Sequence, residues 1–323
     1  MKRTRSILSA LGAVAVLGAG GVVALRGPAL AEGKSTQGGD MPLSPESLYA
    51  TVKAYVEAGP AAEGSPTKDR VRDLIVSRVK ATGAKVQVLP FSTQTPAGDW
   101  HLENVLVSFR PEARDRVLIG AHWDTRLWAE RDPDPIKRKQ PITGANDGGS
   151  GVAVLVGLAE VLAKDPPPEG IGVDLAFFDG EEGFEGDMNE WFYGSRDLAE
   201  RWYRTGAAVP RAVVIVDMVA RKGLAIPREG ISDARPQGRR ILDQIFGIAK
   251  EKGYRSFVDQ PGQEVLDDHL PFLARGIPAV DLVDLAYPQW HTHEDTLDKV
   301  EPRGMAEVAD VLLTWIRRGA PSK

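Results

Sequence analysis

The chain has 323 residues, 42% of them hydrophobic and 26% charged, with a formal net charge of −5. That length suits one large domain or two small ones, and the composition suits an ordinary globular core. Cysteine is absent, which excludes disulfides, thiolate metal ligands, a cysteine nucleophile and a lipid-modified N-terminal cysteine.

Lys2, Arg3 and Arg5 open the chain, Ser6 to Leu25 is uncharged and apolar, and Ala29-Leu30-Ala31 is a small-x-small cleavage site. Residues 1–31 therefore read as a signal peptide or, since the run is just long enough to span, as an N-terminal membrane anchor. Either way the basic start places the rest of the chain outside the cytoplasm, periplasmic or secreted. Residues 1–31 hold four basic and no acidic residues, so the formal charge without them is −9. Nucleic acid is not an expected partner for so acidic a body. Residues 32–42 are rich in Gly, Ser and Gln and read as a linker. Residues 43–323 are expected to form one catalytic domain.

Helical and strand patterns alternate from there. Pro45-Glu46 opens a helix through Tyr55. Lys68 to Ala81 has apolar residues at Val71, Leu74, Ile75 and Val79, the period of a helix. Val86 to Phe91 and Asn104 to Phe109 read as adjacent strands, and Arg116 to Ala121 as a buried one. Ser150 to Lys164 is a helix with a nearly continuous apolar face and a serine cap. Val173 to Phe178 is apolar almost throughout, as a parallel strand must be. Ala212 to Val216 is a strand, Gln237 to Lys252 a helix, Ile277 to Leu282 a short strand and Arg303 to Arg317 the closing helix. The alternation implies an α/β fold: a mostly parallel twisted mixed sheet with helices on both faces. Sites in such sheets form at the carboxyl ends of strands.

His122, Asp179 to Glu182 and Asp217 each directly follow a strand, and Asp147 follows a glycine-rich loop and opens a helix. Histidines and carboxylates gathered at strand ends are what a hydrolytic zinc site needs when thiolates are excluded. Each residue also has a plainer reading. Asp147 can be a helix cap. Glu181 and Glu182 can belong to a solvated acidic loop, but if buried they need a counter-charge. His122 can be a hydrogen-bonded core residue. His291 and His293 alternate in one polar turn and are not both assumed to be ligands. A buried Asp217 needs a cation or donor.

The ordered series Ala121-His122-Trp123-Asp124-Thr125-Arg126, GANDGGSG, FFDGEEG, VDMV, DDHLPF and WHT resembles the zinc aminopeptidase family (metallopeptidase family twenty-eight). It is closest to the glutaminyl-peptide cyclotransferase, or glutaminyl cyclase, branch. The resemblance covers roughly residues 43 to 318. It implies that Asp147, Glu182 and His291 hold one zinc and that His122 and Asp217 form a second zinc site with Asp147. In the cyclases a single zinc is held, and His122 and Asp217 become hydrogen-bonding neighbours. Glu181 is implied as the general acid/base, with Asp217 and Asp267 as supporting catalytic residues. Trp290 resembles the cyclase pocket tryptophan, and Trp191, in Trp191-Phe192-Tyr193-Gly194-Ser195, resembles the bacterial cyclase-like proteins. Both are expected to meet substrate, against a plainer reading of core packing.

There are departures. Animal cyclases have a tryptophan where this chain has Glu185-Gly186-Asp187, and a glutamine where it has Leu266. Their disulfide has no counterpart here. The loop Leu127 to Ile142, with Asp132-Pro133-Asp134-Pro135, either covers the cleft or is a proline-stiffened surface loop. The expected function is conversion of N-terminal glutamine to pyroglutamate with ammonia release. The alternatives are a co-catalytic zinc aminopeptidase and a catalytically silent binding domain. Peptide or protein N-termini are the expected substrates, with one zinc for the cyclase and two for the peptidase. A monomer is expected.

Overall fold

Each strand of the central sheet alternates its side chains between two hydrophobic layers, and this alternation sets the architecture. The computed structural model of the protein describes residues 41–184, 190–205 and 209–320. The segment 1–31, nearly all of the linker and Glu185-Gly186-Asp187 lie outside the described residues. So does the apolar run Ser6 to Leu25; among the described residues no helix is long and apolar enough to cross a membrane.

The six strands are β1 (Lys85–Thr95), β2 (Gly98–Phe109), β3 (Asp115–His122), β4 (Ile171–Phe178), β5 (Ala212–Asp217) and β8 (Ala279–Val283), in the order β1-β2-β4-β3-β5-β8. β1 and β2 form an antiparallel hairpin, β2 pairs antiparallel with β4, and β4, β3, β5 and β8 run parallel. This is the expected mixed sheet. The hairpin strands run further than their apolar stretches, closing through a tight turn with Thr95 opposite Gly98.

Val117, Ile119 and Ala121 of β3 point into the larger cluster, and Leu118 into the smaller. On β5, Ala212, Val214 and Val216 join the larger cluster while Val213 and Ile215 join the smaller. The larger layer is built from α1 (Pro45–Ala58), α2 (Lys68–Lys80), α3 (Gly149–Lys164), α6 (Pro236–Glu251) and α8 (Pro302–Arg317). The smaller is covered by α4 (Tyr193–Thr205) and α7 (His269–Ala274). Local chemistry sets the helix starts. Ser44 accepts the Ser47 N–H, and prolines occupy the first turns of α1, α6 and α8, where their missing N–H is no loss.

One expectation needs correction. Ser150 does not cap α3. The cap position is Gly148, at φ 88°, and no side chain bonds there. The Ser150 hydroxyl instead donates to the Asn146 carbonyl at 2.6 Å and accepts the Val219 N–H at 3.0 Å, pinning α3 to the exit of β5. The structure adds α4, α7, the short α5 (Gly230–Asp233) and a parallel pair, β6 (Ile226–Arg228) with β7 (Phe257–Pro261), to the expected elements. The last three are too short to show a period.

Helix α3 approaches the sheet closely at Gly151. A Cβ there would lie 2.6 Å from the Val216 carbonyl oxygen and 2.7 Å from the Ala121 Cβ, both beside site-bearing strand ends. Gly151→Ala is therefore expected to cost about 1–3 kcal/mol by overpacking, read as a lower midpoint of denaturant unfolding. An unchanged midpoint would show that the helix can lift without penalty.

Candidate metal centre

Parallel pairing aligns the carboxyl ends of the strands. His122 is opposite Phe178, so Asp179 to Glu182 leave the sheet beside it, and Asp217 ends β5 on the other flank. Asp147 reaches the same edge from the loop before α3. The Asn146 side-chain oxygen accepts the Ala220 N–H at 2.8 Å, and the Asp295 carboxylate accepts the Asn146 and Asp147 N–H groups at 2.9 and 3.1 Å. Those bonds tie the loop to β5 and to the turn that carries His291. Gly148 is required by its backbone. With φ at 88°, a side chain would meet the Asp124 carbonyl and the Tyr55 hydroxyl at 3.0 Å.

Asp147, Glu182 and His291 converge, each offering one atom within 4.8 Å of the others, and His122, Asp147 and Asp217 form a second such group. His291 Nε2 is 3.7 Å from Asp147 Oδ2 and from Glu182 Oε2. That is too long for a hydrogen bond. It is close to the spacing of about 3.4 Å that two donors take around a tetrahedral zinc with bonds near 2.1 Å. Among the described residues Asp147 Oδ2 is buried without a hydrogen-bond partner. One nitrogen and two carboxylate oxygens, the orphaned Asp147 Oδ2 among them, fit a zinc-class ion. His122 Nε2 lies 3.2 Å from Asp147 Oδ1 and from Asp217 Oδ1, a spacing that suits either hydrogen bonding or a second ion.

The electrostatics ask for a cation. Burial, followed by the charge of Glu182, pushes the Glu181 carboxyl well above its ordinary range. Burial and the Asp147 charge push Glu182 up to about 7. Burial raises Asp217 and Asp267 as well. Burial also works to raise Asp147, but the hydrogen bond and charge of His122, then the charges of His291 and Arg126, outweigh it. Burial alone would lower His291; the Glu182 charge and the Glu130 hydrogen bond reverse that. Excess negative charge in a dry site is costly unless a positive ion enters.

Several supporting residues were not legible in the sequence. The Asp124 carboxylate accepts the N–H groups of Glu181 and Glu182, both at 3.1 Å, and so aims the paired glutamates. Its place two residues after His122 was the available signal. Glu130 hydrogen-bonds His291 Nδ1, leaving Nε2 to face Asp147 and Glu182. Arg126 bonds Glu130 at 3.0 Å and the Gly183 carbonyl at 2.5 Å and lies 3.4 Å from Glu182. Asp179 turns away to pair with Lys68 at 2.9 Å and belongs to neither group of potential ligands.

The loop Leu127 to Ile142 is tied to the His291 turn. The Arg131 N–H donates to the His291 carbonyl, and Asp132 Oδ2 accepts the His293 N–H and lies 3.0 Å from its Nδ1. His293 thus points to Asp132. His293→Ala keeps the backbone bond and is expected to leave bound metal unchanged, with under about 1 kcal/mol lost from a partly exposed pair. Elemental analysis of the purified variant checks this; loss of metal would transfer the ligand role from His291 to His293.

A cavity of about 720 Å³ opens over the centre. Glu181, Asp217, Asp267, Trp191 and Trp290 all line it, together with the three converging residues. The Trp191 N–H donates to the Phe184 carbonyl at 2.7 Å, and its ring lies 4.6 Å from the Arg126 guanidinium carbon. Trp191 is thus packed on one side and faces the cavity on the other. Phe192, Met218 and His291 carry positive φ of 60°, 46° and 57°. They are three of the five such non-glycine residues among the described residues, and all three line this cavity. Strain held at one place points to function.

The sequence profile of Peptidase family M28 matches residues 104–316. The glutaminyl-peptide cyclotransferase of Boiga dendrophila is 26% identical over 285 residues, covering 78% of this chain and 76% of that protein. The crystal structure of Porphyromonas gingivalis glutaminyl cyclase is similar at a TM-score of 0.82 and 28% identity, over 87% of this chain and 100% of that one. A Zn-dependent exopeptidase from Parabacteroides distasonis is similar at 0.79 and 28%, over 85% and 98%.

Proposed function

The chain belongs to peptidase family M28, and from that premise we propose that it is a zinc-dependent glutaminyl-peptide cyclotransferase. It converts N-terminal glutamine to pyroglutamate and releases ammonia. The observation that carries the chemistry is the convergence of Asp147, Glu182 and His291, with Asp147 Oδ2 buried and without a hydrogen-bond partner among the described residues and Glu181 on the same cavity wall. The cyclases among the similar proteins support the choice of reaction.

Asp147, Glu182 and His291 would hold the zinc, which when bound supplies an electrophile for the side-chain amide of the glutamine. The Glu181 carboxylate takes a proton from the substrate's α-amine. The amine nitrogen forms a bond to the side-chain amide carbon, the bond from that carbon to the amide nitrogen breaks, and Glu181 returns the proton to the leaving ammonia. A carboxyl raised by burial suits this exchange better than a fixed charge would. Asp217 and Asp267 line the same cavity; the Asp267 charge raises the Glu181 carboxyl, and the Asp217 charge raises Asp267. Trp191 and Trp290 supply planar apolar walls for an uncharged side chain. In this reading one zinc suffices, and His122 and Asp217 hydrogen-bond each other at 3.2 Å. The basic and apolar pattern of residues 1–31 supports an exported enzyme acting on peptide or protein N-termini.

A second reading, the co-catalytic aminopeptidase, is favoured by the His122, Asp147 and Asp217 group, which suits another ion. Purified protein is incubated with Gln-initiated and Leu-initiated peptides, with and without chelator, and its metal is counted. Chelator-sensitive ammonia release without cleavage and one zinc per chain are expected. A freed N-terminal residue with two zincs would establish the peptidase instead.

A further inference from the structure

Beside the catalytic cavity lies a second, of about 690 Å³, that shares Trp290 and Leu285 with it. Its remaining wall is Arg131, Gln263, Tyr287, Pro288 and Thr292, in which Arg131 is the one charged residue among the described residues. The Arg131 guanidinium lies over the Trp290 ring, 3.9 Å from its centroid. Among the described residues no carboxylate pairs with it. Its backbone N–H is bonded to the His291 carbonyl at 3.3 Å, and the adjoining Asp132 carbonyl accepts the Arg138 side chain at 2.7 Å. The loop thus sets a cation at a defined distance from the metal-binding turn.

A guanidinium stacked on an indole leaves its N–H edge free, and that edge matches the two oxygens of a carboxylate. A peptide whose first residue fills the catalytic cavity has Trp290 and Leu285 as the wall leading to the second. We propose that Arg131, stacked on Trp290, forms a subsite for a carboxylate borne by the peptide downstream of its N-terminal residue, so that the enzyme selects acidic peptides. The carboxylate is either an acidic side chain or a free C-terminus, and the proposal rests on the cyclase reading above.

The test uses the zinc-loaded enzyme and four peptides: Gln-Ala-Ala-amide, Gln-Glu-Ala-amide, Gln-Lys-Ala-amide and Gln-Ala-Ala with a free carboxyl terminus. Ammonia release gives kcat and KM for each. The Glu or free-carboxyl peptide is expected to exceed the Lys peptide in kcat/KM by up to about fivefold, the upper end for an exposed ion pair. The difference should sit in KM and shrink in high salt. Preference for Gln-Glu-Ala-amide assigns the subsite to a side chain, and preference for the free-carboxyl peptide assigns it to the terminus. Arg131→Gln should bring the ratio to one and Arg131→Glu should invert it, with zinc content measured for both. If either variant loses zinc or folds poorly, the salt dependence of the wild-type ratio decides. Wild-type ratios near one, with ammonia still released, overturn the subsite alone. No ammonia from any of the four overturns the cyclase reading and the subsite with it.

Discussion

Glu181→Gln will keep its zinc and lose turnover by about 10²–10⁴-fold, the usual contribution of a positioned acid/base. The substitution preserves size and polarity and removes only the carboxyl proposed to exchange protons. Glu181 belongs to neither cluster of potential ligands. Its backbone N–H is held by Asp124, as that of Glu182 is, so neutralising the side chain leaves the pair's geometry in place. Because burial already disfavours the charged carboxylate, the variant should unfold at a temperature equal to or above that of the parent. The measurements are zinc per chain, thermal midpoint and ammonia release from a Gln-initiated peptide. If zinc is lost, Glu181 is the ligand and Glu182 the proton carrier, and the roles exchange.

Asp147→Asn should have the opposite signature, losing metal and activity together. Among the described residues Asp147 alone is common to both clusters of potential ligands, and its Oδ2 is a buried oxygen without a hydrogen-bond partner. An amide keeps the shape but replaces the anionic donor. Zinc affinity should fall by more than the roughly 10–100-fold that follows loss of an outer partner. Zinc in 100-fold excess over its dissociation constant stabilises a folded protein by about 2.7 kcal/mol; the parent should show a zinc-dependent rise in thermal midpoint and the variant none. The Asp147 backbone N–H still bonds Asp295 after the change, so the α3 entry is retained. A variant that purifies with a full equivalent of zinc would remove Asp147 from the site.

The central strands were legible because burial on both faces leaves near-continuous apolar runs, as in Val117 to Ala121 and Val173 to Phe178. The residues that end them were legible as candidates for the same reason, since a carboxylate or histidine interrupts such a run conspicuously. The first turn of α3 misled. Serine near a helix start is a good cap, yet Ser150 lies inside the helix and its hydroxyl bonds Asn146 and Val219 instead. Helix α4 begins at Tyr193, inside the aromatic run Trp191-Phe192-Tyr193, where the rings mask the start of the helical period.

What the sequence determined alone was the menu: no thiols, a sheet of apolar strands, and His122, Asp147, Glu181, Glu182, Asp217 and His291 at its punctuation points. Those are local properties, written in composition, period and breakers. Tertiary structure decided which of them meet and how each is aimed. Parallel register brought His122, Glu182 and Asp217 to one edge, while Glu130 fixed His291 and Asp132 claimed His293, each across 161 residues of chain. A carboxylate looks the same in sequence whether its partner is a backbone N–H, an arginine or an ion. Only the folded chain supplies that partner, because such bonds join residues whose separation leaves no pattern to read.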